Sequence, residues 1–428
     1  MAEDLKEKLA YDETFSCVQC GYCLPTCPTY VAFETETHSP RGRINLVKMA
    51  AEGKISLDEI RGPIELCLGC RACETVCPTN VEYGKIFTSA INVLTDKEKQ
   101  TAKKSTLTAR KWMFEKVLPN QTLLNTAGKG LFLYQKTRAY KLVRGLRLNY
   151  VLPKAVRQME KITPKVAPAK KRKRTYPKAP TKPVIGFFSG CVMDTFFAKI
   201  NDLAIKLLEL AGYEVITIKE QTCCGALQHH AGEHKIAKGL AMKNIEAFEA
   251  YQFDYVINTI GGCGAALVEY PLHFTKDDPW HRRAEIFASK NKDISYLLAK
   301  ADLPMDIAID QRVAYQPSCH LTNVQKVVNE PLQLMKQVKG IEFLALPEAN
   351  LCCGSAGIYN VIHYERSMQV LDLKINRIKE IKPTMIVTSN PGCHLQMLQG
   401  VEREQLTDQV EVVHLVELLA RACGIEAS

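Results

Sequence analysis

From residue 184 onward, short apolar runs alternate with longer segments in which apolar positions recur every three or four residues. VIGFF, EVITI and YVINTI belong to the first kind, and AKINDLAIKLLELAG to the second. Short runs bounded by turn residues predict strands, and the periodic segments predict helices. Strand and helix taking turns in this way predicts α/β layers, with sites at the strand ends. The same order occurs twice. VIGFFSGCVMD (184–194) answers to VAYQPSCHLTN (313–323), QTCCGAL (221–227) to NLCCGSA (350–356), and DYVINTIGGCGAAL (254–267) to TMIVTSNPGCHLQM (384–397). Matched cysteines lie 128, 129 and 130 residues apart, so two repeats, 184–311 and 312–428, align almost without gaps. In both, the cysteines are expected on loops that follow strands, where separate segments converge.

The first 183 residues read differently. HSPRGRINLVKMAAEG predicts a helix with Ser39 as N-cap, Pro40 in the first position and Gly53 at the stop. Residues 96–183 hold 24 Lys or Arg against 4 Asp or Glu, whereas the rest of the chain has 32 against 42. This basic stretch begins with helix-like segments bearing Trp112, Met113, Phe114, Leu131, Phe132, Leu133 and Tyr134. It ends in VAPAKKRKRTYPKAPTKPV, a solvated tract that no core could use. Four regions follow: a cysteine domain at 1–95, a basic helical connector at 96–183, and the two repeats. The longest stretch free of charged residues, Pro383 to Val401, carries Ser389, Asn390, His394 and two glutamines, which bilayer hydrocarbon would reject. The amino terminus lacks an apolar signal segment. A cytoplasmic protein is expected.

Seventeen cysteines exceed what packing needs, and cytoplasmic thiols stay reduced, so metal ligation is the expected use. CVQCGYCLPTCP and CLGCRACETVCP are both C-x2-C-x2-C-x3-C-P, 50 residues apart. Three close cysteines on one loop supply three corners of a [4Fe-4S] cubane, and the fourth of such a run ligates the other centre. One cluster is therefore assigned to Cys17, Cys20, Cys23 and Cys77, and the second to Cys67, Cys70, Cys73 and Cys27. Structural zinc, the competing reading, uses paired C-x2-C units without a third close cysteine. Arg41 and Arg43, between the runs, are expected on a solvated helix face.

The helical linker sets this pair of runs apart from short-stranded bacterial ferredoxins and resembles the cluster domains of succinate dehydrogenase iron-sulfur subunits. Two runs flanking THSPRGR, followed by two CCG repeats, resemble the glycolate oxidase iron-sulfur subunit family over essentially the whole chain except the connector. The resemblance implies an N-terminal helical ferredoxin-like domain, a helical connector and a C-terminal α/β domain of two pseudo-symmetric CCG repeats. It also implies an electron-transfer subunit whose flavin-bearing partner subunits oxidise glycolate or a related 2-hydroxy acid such as lactate, with a quinone or another acceptor downstream. Relatives include the iron-sulfur subunit of anaerobic glycerol-3-phosphate dehydrogenase and the CCG subunit of heterodisulfide reductase. The latter holds noncubane [4Fe-4S] clusters, so Cys191, Cys223, Cys224 and Cys263, with Cys319, Cys352, Cys353 and Cys393, are candidate ligands of a further cluster or metal. Glycines 225 and 354 would allow the tight turn that aims each adjacent pair. That subunit has an additional cysteine where this chain has Ala266 and Gln396. His320 and His394 are either ligands of a different metal site or polar loop residues, and buried reduced thiol remains the plain alternative for the cysteines.

No G-x-G-x-x-G follows a strand and no G-x-x-x-x-G-K-[ST] occurs, so FAD is expected on partner subunits and not on this chain. For the connector, a membrane-surface or partner-docking role ranks above nucleic-acid binding, for which there is no motif. Peripheral association with the inner face of the cell membrane is one expectation that follows, and no nucleic-acid partner is expected.

Overall fold

The computed structural model describes residues 2–101, 108, 110–167, 172, 173 and 175–426. Residues 184–426 form two four-stranded sheets of one topology. The first holds β1 (Val184–Phe187), β2 (Glu214–Ile216), β3 (Tyr255–Asn258) and β4 (Asn291–Asp293) in the order 2-1-3-4. The second holds β5 (Gln311–Gln316), β6 (Ile341–Leu344), β7 (Met385–Thr388) and β8 (Glu411–His414) in the corresponding order 6-5-7-8. Every pairing is parallel, so all strands of a sheet end on one side. The order reverses between β1 and β3, and between β5 and β7. That switch point is where crevices open at the carboxyl ends of such sheets.

The periodic segment in the first repeat forms the helix Ala198–Leu210, which buries Leu203, Ala204, Leu207 and Leu208. It packs on the last helix of the second repeat, Leu415–Ala422, through a core that also takes Ile185, Phe187, Val313, Tyr315 and Val413. The repeats therefore share one hydrophobic core, and neither buries that face alone. Separate cores lie on the other side of each sheet. His414 ties the repeats together at this seam. Its Nδ1 accepts from the Val416 amide at 3.2 Å, and its Nε2 stands 3.1 Å from the Thr259 carbonyl of the first repeat, which makes Nε2 the donor.

In the cysteine domain, the helix Pro40–Ala51 begins as expected: the Ser39 side chain accepts from the Gly42 amide, and Pro40 takes the first position. With the helix Leu57–Glu65 and the long helix Tyr83–Thr101 it encloses a small core of Leu9, Ile44, Val47, Ile60, Ile64, Ile86 and Leu94. Tyr83–Thr101 continues past residue 95, where charge alone suggests a boundary, and packs on the first repeat. A Cβ at Gly232 would come within 2.3 Å of Thr95 Oγ1, so glycine is needed for this close approach. The connector is helical, with helices Gln121–Lys136, Ala139–Gly145 and Lys154–Ile162. Of its apolar residues, Trp112 and Leu133 are exposed, Leu131 and Phe132 are half-buried, and Phe114 is buried against the repeats rather than set at a surface. Part of the Pro/Lys tract lies outside the described residues.

Burial sets the acid limit of this fold. It pushes the His394 imidazole down to about 4 and that of His414 to about 3, from 6.5. The same cause brings His273 and His320 to about 4. Groups held neutral in the fold but protonated when unfolded contribute stability that is complete above 6.5 and is lost progressively as pH falls from there to the folded values of 4 to 3. Buried Asp293, raised from 3.8 to about 6, acts oppositely, as do Glu269 and Glu417, but burial lowers His38, His229, His230 and His363 as well, so the imidazoles outnumber these carboxyls. Thermal unfolding of the metal-free chain should thus shift down by roughly 5 °C or more between pH 7 and pH 5. A midpoint flat over that interval would show these imidazoles to be protonated in the folded state.

Candidate metal and electron-transfer site

Left-handed backbone at Gln19 (φ 57°) and Gly21 (φ 88°) wraps the first cysteine run into a loop, and Gly69 (φ 60°) and Arg71 (φ 57°) do the same for the second. Cys17, Cys20, Cys23 and Cys77 line one small space, with Arg41, Val81 and Tyr83. Cys27, Cys67, Cys70 and Cys73 line another, with Arg43, Leu68 and Tyr83. In each, the fourth cysteine comes from the opposite run, and Cys73 stands on the wall of both. Each space thus offers the four thiols that a cubane takes, with Cys73 as a fifth on the wall of the first.

Hydrogen bonds point at these sulfurs. The Gly69 amide donates to Cys67 Sγ and the Val81 amide to Cys77 Sγ, both at 3.4 Å. Burial pushes the Cys23 thiol up to about 11 and carries Cys70 and Cys73 well above their usual 9.0. Burial also acts upward on Cys77, but bonds from Thr79 and the Val81 amide outweigh it and lower that thiol. Without a metal the buried thiols of Cys23, Cys70 and Cys73 hold their protons, which ligation must displace.

Arg43 departs from the sequence expectation. Its side chain is fully buried, donating to the Pro63 carbonyl at 2.7 Å, to Thr29 Oγ1 at 3.0 Å and to the His38 carbonyl, with Cys27 Sγ 3.9 Å away. Burial alone would disfavour its charge, but the thiols of Cys67 and Cys27 and the Tyr83 hydroxyl raise its pKa further. The signal was present in the spacing, because residues 43, 47 and 50 share the buried stripe of this helix. Arg41 does lie towards solvent, paired with Glu36 at 2.8 Å.

The repeat cysteines sit at the switch points. Cys223–Cys224 and Cys352–Cys353 are on loops after β2 and β6, where Gly225 (φ 85°) and Gly354 (φ 90°) make the left-handed turn expected of them. Cys191, Cys263, Cys319 and Cys393 are not on loops. They occupy the first turns of the helices Cys191–Phe196, Gly261–Val268, Cys319–Asn323 and Pro391–Arg403, because helix follows strand with almost no connection. Buried side chains brace the paired cysteines from behind. Asn244 Nδ2 donates to the Cys223 carbonyl at 3.0 Å, and Lys374 Nζ donates to the Ala349 carbonyl at 3.0 Å. Burial brings the Lys374 ammonium down to about 8.

Sulfurs approach at 3.6 Å for Cys191–Cys223, 3.1 Å for Cys224–Cys263 and 4.0 Å for Cys319–Cys352. All eight line a single cavity of about 720 Å³. The sequence presents them as two separate sets, but facing repeats merge the two crevices. Cys67 also lines this cavity, so the second N-terminal thiol set adjoins it. Asn323 Nδ2 donates to the Cys70 carbonyl at 2.8 Å, and Arg71 pairs with Glu269, which pins the two together.

Among the described residues, no three His, Cys, Asp or Glu side chains gather as a site for one metal ion. His320 reaches the cavity, with Nδ1 3.6 Å from Cys319 Sγ and its ring 5.2 Å from that of His230. His394 does not line it and packs edge-on against Phe197. Gln396 is bound internally, to Asn360 at 3.1 Å and to Ser367 at 2.9 Å. Cys423, outside the repeat pattern, packs at the edge of the shared core.

Three known domains match this chain: a 4Fe-4S dicluster domain over residues 13–81, the linker region of the glycolate oxidase iron-sulfur subunit over 107–163, and a cysteine-rich domain over 185–268 and again over 313–398. The chain is 45% identical to the probable glycolate oxidase iron-sulfur subunit of Bacillus subtilis, over 99% of its own length and 97% of that protein's. It is 30% identical to the glycolate oxidase iron-sulfur subunit of Escherichia coli over 93% of each chain. Lactate utilization protein A of Geobacillus kaustophilus is 32% identical over 55% of this chain and 98% of that protein. The chain is an iron-sulfur electron-transfer subunit belonging to the glycolate oxidase iron-sulfur subunit family.

Proposed function

We propose that this chain accepts electrons from flavin-bearing partner subunits that oxidise glycolate, or a related 2-hydroxy acid such as lactate, and passes them towards a quinone or another acceptor. The observation that carries the reading is the crossed pair of four-thiol spaces sharing Cys73. In the first, Cys17, Cys20, Cys23 and Cys77 would hold one [4Fe-4S] cluster; in the second, Cys67, Cys70, Cys73 and Cys27 would hold the other. A cubane, when bound, holds one electron at a time, which suits stepwise exit from a reduced flavin. The protein's own part is electrostatic. The buried Arg43 cation near Cys27 and Cys67 favours added negative charge there, while Leu68 and Val81 keep water from the sulfurs. The eight thiols of the repeats are proposed to hold a further cluster or metal jointly, since they wall one cavity. The working location is the cytoplasm, with peripheral attachment to the inner face of the membrane.

A second reading has its own observation. A cavity of about 720 Å³ walled by eight thiols would suit a catalytic subunit similar to that of heterodisulfide reductase. Against it stand the internally bonded Gln396 and Ala266 at positions where that subunit has cysteine. Turnover separates the two. The isolated chain should not oxidise glycolate or lactate with an artificial acceptor, whereas with its flavin partners either substrate should bleach the visible absorbance of the chain. Steady turnover by the isolated chain would overturn the electron-transfer reading.

Cys27→Ser tests the crossing. Electron paramagnetic resonance of the reduced variant should lose the signal of the centre held by Cys67, Cys70 and Cys73 and keep the other. Loss confined to the centre held by Cys17, Cys20 and Cys23 would refute the crossed assignment.

A further inference from the structure

Between Lys116 and Met159 the chain has nine Lys or Arg and no Asp or Glu. Among the described residues, only Arg144, with Glu160, and Lys154, with Glu365, find an acidic partner in this stretch. Aliphatic surface accompanies the charge. Leu142, Leu146, Leu148, Tyr150 and Val151 are each more than half exposed, and Val151 is 87% exposed. They fall within ten residues, on the helix Ala139–Gly145 and the 3-10 turn Leu148–Val151. Left-handed backbone at Arg138 (φ 57°) and Arg147 (φ 56°) breaks the chain before each of these segments. The result is a short stretch of exposed apolar side chains interleaved along the chain with Arg138, Lys141, Arg144 and Arg147. Arg157 lies over the Tyr150 ring at 4.2 Å and steadies it.

We infer that residues 138–152 are the surface by which this chain attaches to an anionic lipid bilayer. The inference rests on the peripheral attachment proposed above and names the element responsible. Charge selects the occupant. A surface with this much unpaired positive charge suits a dense anionic layer, and long Lys and Arg side chains adapt to mobile headgroups without fixed ion-pair geometry. The apolar stretch has the dimensions for the headgroup–acyl boundary rather than for a crossing. Among the described residues no helix is long and apolar enough to span a membrane. Elsewhere the connector contributes Arg110, Phe114 and Met159 to the wall of the cysteine-lined cavity. Attachment through 138–152 would therefore hold that cavity near the bilayer.

The test is flotation of the cofactor-loaded full chain with vesicles of phosphatidylcholine alone, or with about one third phosphatidylglycerol. The chain should float with the anionic vesicles and not with the neutral ones, and raising salt from about 0.1 to 0.5 M should weaken binding roughly tenfold. Leu146→Glu with Val151→Glu, and separately Arg138→Glu with Lys141→Glu and Arg147→Glu, should each weaken it at least thirtyfold, on the order of two or more lost surface charges. Iron content and visible spectrum should stay unchanged in both. Binding that both variants retain would overturn this surface and leave peripheral attachment standing. Absence of binding by the unaltered chain would remove both. A patch shielded only by the flavin subunits, and never by vesicles, would reassign it to protein docking. None of these outcomes bears on iron content or on reduction by substrate, so the electron-transfer reading is judged separately.

Discussion

Parallel strands ending on one side are the constraint on which this molecule depends. In a sheet ordered 2-1-3-4, the carboxyl ends of the first three strands meet at the reversal, and this chain sets its cysteines just beyond those ends. Backbone hydrogen bonding between β1, β2 and β3 therefore fixes where thiols from three distant segments converge. The second sheet repeats the arrangement. The shared core between helices Ala198–Leu210 and Leu415–Ala422 then turns the two crevices towards each other. A single cavity results, walled by eight sulfurs.

The cysteine domain is joined to that cavity by contact rather than by a flexible tether. Cys73 borders both four-thiol spaces, and Cys67 borders one of them and the cavity, so three thiol-lined spaces lie in series. The bond from Asn323 to the Cys70 carbonyl and the half-buried Arg71–Glu269 pair hold the series in register. Arg43 puts a fixed positive charge beside the middle space. An ion buried there is costly unless its donors are satisfied, and the carbonyls of Pro63 and His38 and the hydroxyl of Thr29 satisfy them.

What could be read from the sequence follows from the range of the forces involved. Three cysteines on one loop declare their purpose locally, and the offsets of 128 to 130 residues expose the duplication without any structure. The strand–helix alternation was equally legible, since β1, β2, β3 and their counterparts are apolar runs. The fourth strands were not. β4 is the three-residue segment NKD, and its pairing to β3 comes from register and not from composition. The merging of two cysteine sets into one cavity depends on how two repeats dock, which no local pattern encodes. Phe114 likewise reads as surface in a basic segment, yet it is buried because the connector folds back over the repeats. Arg43 shows that a charged residue on an apolar stripe is better read as buried and paired than as solvated.

If the thiols serve iron-sulfur chemistry, metal analysis of the full chain purified without oxygen will find iron and acid-labile sulfide together. Two cubanes require about eight irons and eight acid-labile sulfides per chain, and a further four-iron cluster in the shared cavity would raise each to about twelve. At least the first value is expected, with iron and sulfide equal. Zinc in place of iron, with no sulfide released by acid, would contradict it.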